Sequence, residues 1–241
     1  MFSMLTGRVF FCNFSLKSNM EKELHNISPA PDTVIVIGRQ FGSGGRRIGR
    51  LVAERLGVPY YDKELLSHAA KSLGFSPDVF AAADEKRPSA FHTLLQSMYG
   101  IADNFHTTSI SGERLYEQQS KVIREICSKG SCVIVGRTAD YVMRDHPGLV
   151  SVFLHAPVKW RAEKIVRRGE AMCCENAIEQ AQKHDRNREN YYNYYTSGHW
   201  GRADNYHLCL NSSLLSESRI ADLIIEFARD KRRDGINMAE T

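Results

Sequence analysis

The chain has no pair of cysteines two residues apart, no H-x-x-x-H and no H-E-x-x-H, so a dedicated zinc site is not expected. Its 6 cysteines are scattered, and the adjacent Cys173 and Cys174 have poor geometry for a mutual disulfide. Reduced thiols and a cytoplasmic setting are the expectation. No stretch is long and apolar enough to span a bilayer, which excludes a helical membrane protein. No long Lys/Arg run marks a nucleic-acid tail, and the formal charge of +4 is mild. The partner expected is a small anion, with neither nucleic acid nor membrane.

What is present begins with size. At 241 residues and 42% apolar content, the chain suits one α/β domain with a small insertion. Residues 1–32 differ from the rest. Met1 to Lys17 is mildly apolar but has neither a long h-region nor an A-x-A cleavage site. It reads as a disordered extension and not a signal peptide, with Met20 as an alternative start.

Residues 34–62 carry the strongest signal. An apolar β-branched run from Val34 to Ile37 predicts a buried strand. A glycine-rich loop follows from Gly38 to Gly45. Ile48, Leu51, Val52 and Leu56 then recur at helical spacing, and Gly57 and Pro59 end the helix. Strand, glycine loop and helix together suit phosphate, because bare backbone N–H groups and the helix N-terminus converge on it. Arg39, Arg46 and Arg47 add fixed charge to the loop. A tight turn without ligand is the bland alternative, but three arginines crowding a bare turn would repel one another.

The pattern G-x-x-x-x-G-K-[ST] is not met. With Gly42-Ser43-Gly44 on its last glycines, Gly45 takes the lysine position, Arg46 the hydroxyl position and Arg39 the first glycine. An arginine is expected to replace the lysine, Arg46 first and Arg39 second. The dinucleotide pattern G-x-G-x-x-G also fails, at Gln40 and Arg47.

Further along, strands are predicted near 58–61, 132–135, 149–154 and 206–210. Helices are predicted over 63–73, 76–86, 113–129, 138–145, 157–168, 177–195 and 219–232, with a flap over 89–112. Strands alternating with helices give a five-stranded parallel sheet covered on both faces. The carboxyl ends of its strands bring the glycine loop, Asp62, Gly136-Arg137, His155 and Asn211 to one rim. Arg161 and Arg168 lie on one basic helix, Asp185 and Arg188 on the next, followed by Tyr191, Tyr192, Tyr194, Tyr195 and Trp200.

These segments carry a resemblance. Ile37 to Gly45, Val52 to Gly57, Pro59 to Leu66, Val135 to Val142, Asp185 to Arg188, Tyr191 to Thr196 and Trp200-Gly201 resemble, in that order, the cytidylate kinase-like family over roughly residues 33–228. The resemblance implies a P-loop, nucleoside monophosphate kinase-like fold over 33–232, with a tail at 233–241. It places an acceptor-binding insertion at 76–112 and a helical lid at 157–200. It implies ATP and Mg²⁺ as cofactors and a small phosphorylated acceptor, CMP or dCMP among the options. Gly42, Ser43, Gly44, Gly45, Arg46 and Arg47 would cradle the donor phosphates and Arg137 the acceptor phosphate. Arg161, Arg168, Asp185 and Arg188 would belong to the lid. The sequence departs from cytidylate kinases at the loop lysine and at D-G-R-D, which stands as Val135-Gly136-Arg137-Thr138. Asp62 is the best remaining carboxylate for acceptor or Mg²⁺, with helix capping as its other reading. Asp140 is a second metal candidate. A binding protein with little turnover and a kinase of another metabolite are the alternatives.

Overall fold

The computed structural model describes residues 33–74, 112–196 and 198–239. The expected helix at 76–86 and nearly all of the flap fall outside the described residues, as do residues 1–32. Five parallel strands run in the order β2-β3-β1-β4-β5. They are β1 (Val34–Arg39), β2 (Tyr60–Tyr61), β3 (Cys132–Val135), β4 (Leu149–His155) and β5 (Leu208–Asn211). β1 is central, hydrogen-bonded to β3 and β4 along its length. β2 is shorter than expected, because Pro59 has no N–H and contributes only its carbonyl, to Val133.

Alternate residues of β1 feed two cores. Val34 and Val36 pack with Leu66, Ala70, Val122, Ile123 and Ile126, from α2 (Lys63–Ser72) and α3 (Gly112–Cys127). Ile35 and Ile37 pack with Ile48, Val52, Ile220 and Ile224, from α1 (Gly45–Leu56) and α7 (Glu217–Ala239). Leu65 on α2 is exposed, while Leu66 and Ala70 are buried. The helix expected over 138–145 is a single turn, α4 (Ala139–Val142), since His146 and Gly148 close a turn immediately after it. α5 (Val158–Arg167) and α6 (Cys174–Tyr195) follow β4 and share a small third core of Ala162, Ile165, Ala177 and Ala181. No helix among the described residues is long and apolar enough to cross a membrane.

Gly49 sets how closely α1 approaches the sheet. A Cβ there would meet Val135 Cγ2 at 2.9 Å, Tyr60 Cε2 at 3.1 Å and Ile37 Cδ1 at 3.3 Å. Gly49→Val should therefore cost about 1–3 kcal/mol in urea unfolding, the usual penalty for overfilling a packed contact. A variant as stable as the parent would mean that α1 stands further from the sheet.

Candidate phosphate-transfer site

The glycine loop leaves β1 at the rim. Gly42 and Gly44 have φ of 82° and 88°, where an L side chain is strained. Ser43 is buried, its Oγ donating to the Gln40 carbonyl at 2.8 Å. The N-terminus of α1 has no side-chain cap and no acidic residue in its first turn, which suits an anion.

The loop is held from outside by a largely buried ion pair. Arg161 Nη1 donates to Asp185 Oδ2 at 2.7 Å and to the Phe41 carbonyl at 2.7 Å. Asp185 Oδ1 accepts the Phe41 N–H at 2.7 Å, so both polar groups of that peptide residue are taken. Arg161 Nε also donates to the Ala156 carbonyl at 2.9 Å. A Cβ on Gly42 would press on Arg161 Cβ and Ile165 Cδ1 at 3.0 Å, so the loop and α5 touch directly. Arg161 thus lies beneath the loop, holding its shape, and α5 is docked on it.

Three other arginines converge on the far side. Arg39, Arg137 and Arg188 line one small recess with Gly38, Gly136, Thr138, Asp140, Tyr191, Tyr192, Trp200 and Tyr206. Arg188 Nη1 reaches the Arg39 carbonyl at 3.2 Å and lies 3.7 Å from Asp185 Oδ1. Arg137 is brought there by three successive left-handed residues, Gly136, Arg137 and Thr138, at φ 81°, 67° and 52°. For the two with side chains this conformation costs of order 1–3 kcal/mol each. Arg137 is nonetheless buried, at the wall of the recess. On the other side of α6 a cleft of ≈ 750 Å³ is lined by Gln40, His155, Gln182, Arg186, Glu189 and Trp200, so Trp200 stands between the two spaces. That volume suits a nucleotide-sized molecule.

The remaining candidates sit elsewhere. Arg46 is largely exposed, with Glu64 3.9 Å away. Arg47 pairs with Glu217 Oε2 at 3.0 Å. Glu217 also meets Lys164 at 3.4 Å, and its Oε1 would lie 3.3 Å from a Cβ on Gly44. This carboxylate beside the loop had no signal in the sequence. Arg168 pairs with Glu170 at 2.9 Å at the exposed end of α5. Asp62 is buried and caps α2, its Oδ1 accepting from the N–H groups of Glu64 and Leu65 at 3.2 Å. Its Oδ2 lies 3.4 Å from the Tyr60 hydroxyl and 3.8 Å from Arg50. Among the described residues no group of three or more His, Cys, Asp or Glu side chains is arranged to hold a metal. Mg²⁺ bound largely through phosphate oxygens and waters needs only one or two carboxylates, so the site does not require such a cluster.

Asp140 is the carboxylate that lines the arginine recess. Tyr192 donates to its Oδ2 at 2.9 Å. Burial raises its pKa from 3.8 to about 6, against the opposing Tyr192 hydroxyl and backbone N–H bonds. Burial, with the nearby Asp140 charge, pushes the Tyr192 and Tyr206 hydroxyls well up.

Geometrically, then, the site is a bare anion cradle beside a three-arginine recess. The cytidylate kinase-like family matches residues 34–214. No curated protein matches the chain. Among solved structures, an uncharacterized protein from Eubacterium ventriosum ATCC 27560 is 26% identical, with a TM-score of 0.62 over 83% of this chain and 99% of that one. A gluconokinase from Sinorhizobium meliloti 1021 is 14% identical, with a TM-score of 0.48 over 86% and 96%. A shikimate kinase from Acinetobacter baumannii in complex with shikimate is 13% identical, with a TM-score of 0.45 over 87% and 97%. The chain belongs to the cytidylate kinase-like family.

Asp185→Ala strands Arg161 without its anion and should cost about 3–5 kcal/mol, the range for breaking a buried pair. Amide exchange should accelerate over residues 40–45 in the same variant. Unchanged stability and exchange would remove the clamp. For Asp140, the folded state keeps its proton up to about pH 6 and the unfolded state only to 3.8. The stability due to the neutral side chain is therefore present below pH 4 and lost as pH rises through 6. Between pH 4 and 7 the parent should lose about 2 kcal/mol relative to Asp140→Asn in denaturant titrations. Parallel curves would mean that Asp140 titrates normally.

Proposed function

We propose that this chain is an ATP-dependent phosphotransferase of the nucleoside monophosphate kinase type, acting on a small phosphorylated acceptor such as CMP or dCMP. The observation that carries the reading is the convergence of Arg39, Arg137 and Arg188 on one recess at the mouth of the glycine loop. Phosphoryl transfer asks little covalent chemistry of a protein and much positioning of positive charge. Bound ATP with Mg²⁺ would supply the γ-phosphoryl group.

The loop from Gly42 to Gly45, with the first amides of α1, would hold the donor phosphates. Arg47 would join them by leaving Glu217. Arg137, fixed by its left-handed turn, would hold the acceptor phosphate in line. Arg188, reaching from α6 to the end of β1, would neutralise the group in transit. Arg161 would preserve the loop's shape through Phe41 without touching the ligand. Asp62 and Asp140 would orient the acceptor or waters around Mg²⁺. The family membership supports a nucleotide-type ligand. The engagement of Asp62 as a helix cap favours the second reading, a nucleotide-binding protein with little turnover.

A coupled ADP-release assay across nucleoside monophosphates and non-nucleotide acceptors, with calorimetry for ATP, separates the readings. Turnover with a nucleoside monophosphate is the expected result. Binding without turnover supports the second reading, and turnover only with other metabolites replaces the acceptor class. Arg137→Ala should lower kcat/KM for the acceptor by about ten- to hundredfold, the value of a charge-assisted contact, and leave ATP affinity unchanged. An equal fall in ATP affinity would move Arg137 to the donor side.

A further inference from the structure

The loop has a glycine where a phosphate-binding lysine is usual, and Arg39 where the first glycine is usual. We propose that these are one exchange: Arg39 delivers the missing lysine's charge, and Gly45 and Gly136 are glycine because its side chain runs between them. This rests on the kinase reading of the site.

The geometry is a corridor with two bare walls. A Cβ on Gly45 would lie 2.8 Å from Arg39 Cγ and 2.9 Å from its Cβ. Non-bonded heavy atoms do not approach so closely without something moving. Any side chain at position 45, lysine included, thus competes with the stem of Arg39 for the same space. At the other end, a Cβ on Gly136 would lie 2.0 Å from Arg39 Nη1 and 2.8 Å from Cζ. The guanidinium therefore rests against bare backbone at Gly136, in the recess that also holds Arg137 and Arg188.

The origin of the side chain matters too. Arg39 is the last residue of β1 and is in register with Leu154. Its carbonyl accepts from Arg188, and the next N–H, on Gln40, donates to the Leu154 carbonyl at 2.9 Å. The charge therefore springs from the rigid end of the central strand. Arg46 and Arg47 lie outside this recess and meet Glu64 and Glu217 instead. A guanidinium also offers a planar fork to two oxygens where an ammonium is a point charge, so the exchange would alter how the phosphoryl group is gripped.

The test is a four-protein set: parent, Arg39→Gly, Gly45→Lys and the double variant R39G/G45K. ADP release, ATP affinity by calorimetry and thermal stability are read on each. Arg39→Gly should lose about ten- to hundredfold in turnover. Gly45→Lys alone should be impaired in both stability and turnover, because two stems share one corridor. The double variant should recover most of what Arg39→Gly lost. The proposal is overturned if Arg39→Gly turns over like the parent. It also falls if Gly45→Lys alone is stable and active, or if a stably folded double variant is no better than Arg39→Gly. Should the parent bind ATP without turnover, the kinase reading fails by itself. The same three comparisons, made on ATP affinity, then decide the role of Arg39.

Discussion

The site depends on a peptide residue held from both sides. Phe41 has its N–H on Asp185 and its carbonyl on Arg161, while those two side chains pair with each other. The arrangement closes a ring of charge-assisted bonds around the outer face of the glycine loop. Without it, the loop would be a flexible run of glycines whose ordering entropy would have to be met at the moment of binding. With it, the loop is shaped in advance, and α5 and α6 are attached to the sheet through the loop itself. A buried ion pair is a poor source of net stability, but here it has a geometric role that an apolar contact could not fill. Only a donor and an acceptor facing opposite ways can satisfy both groups of one residue.

Much of the fold, unlike the clamp, was legible in the sequence, because its signals are local. Val34 to Ile37, Cys132 to Val135 and Leu149 to Leu154 are β-branched or otherwise apolar runs bounded by glycine and proline. Short runs of that kind with such flanks read as strands buried on both faces. The glycine loop was legible because its conformation needs glycine locally, at Gly42 and Gly44. Asp62 as a cap was legible for the same reason, since a cap acts on its own next turn.

What was not legible depends on residues far apart in the chain. Arg161 and Arg188 look alike on paper, two arginines on successive basic helices. One lies under the loop bonded to a backbone carbonyl, and the other reaches the recess. Helical periodicity gives the face of each but not what that face meets. The corridor of Arg39 is likewise invisible, because Gly136 reads as an ordinary turn glycine until β3 is placed beside β1. Asp140 reads in the sequence only as a metal candidate, and nothing local marks its burial, which comes with the Tyr192 hydroxyl reaching it from α6.

Glu217 gives the site one further property. Its carboxylate already sits beside the loop, paired with Arg47 and Lys164. On the proposed kinase reading, an incoming polyphosphate would exchange with a resident anion and not enter an empty field of positive charge. The charge newly neutralised is smaller than the number of arginines implies. Binding at such a site would depend on ionic strength less steeply than a count of basic residues suggests, because salt weakens the pairing that is lost as well as the pairing that is gained.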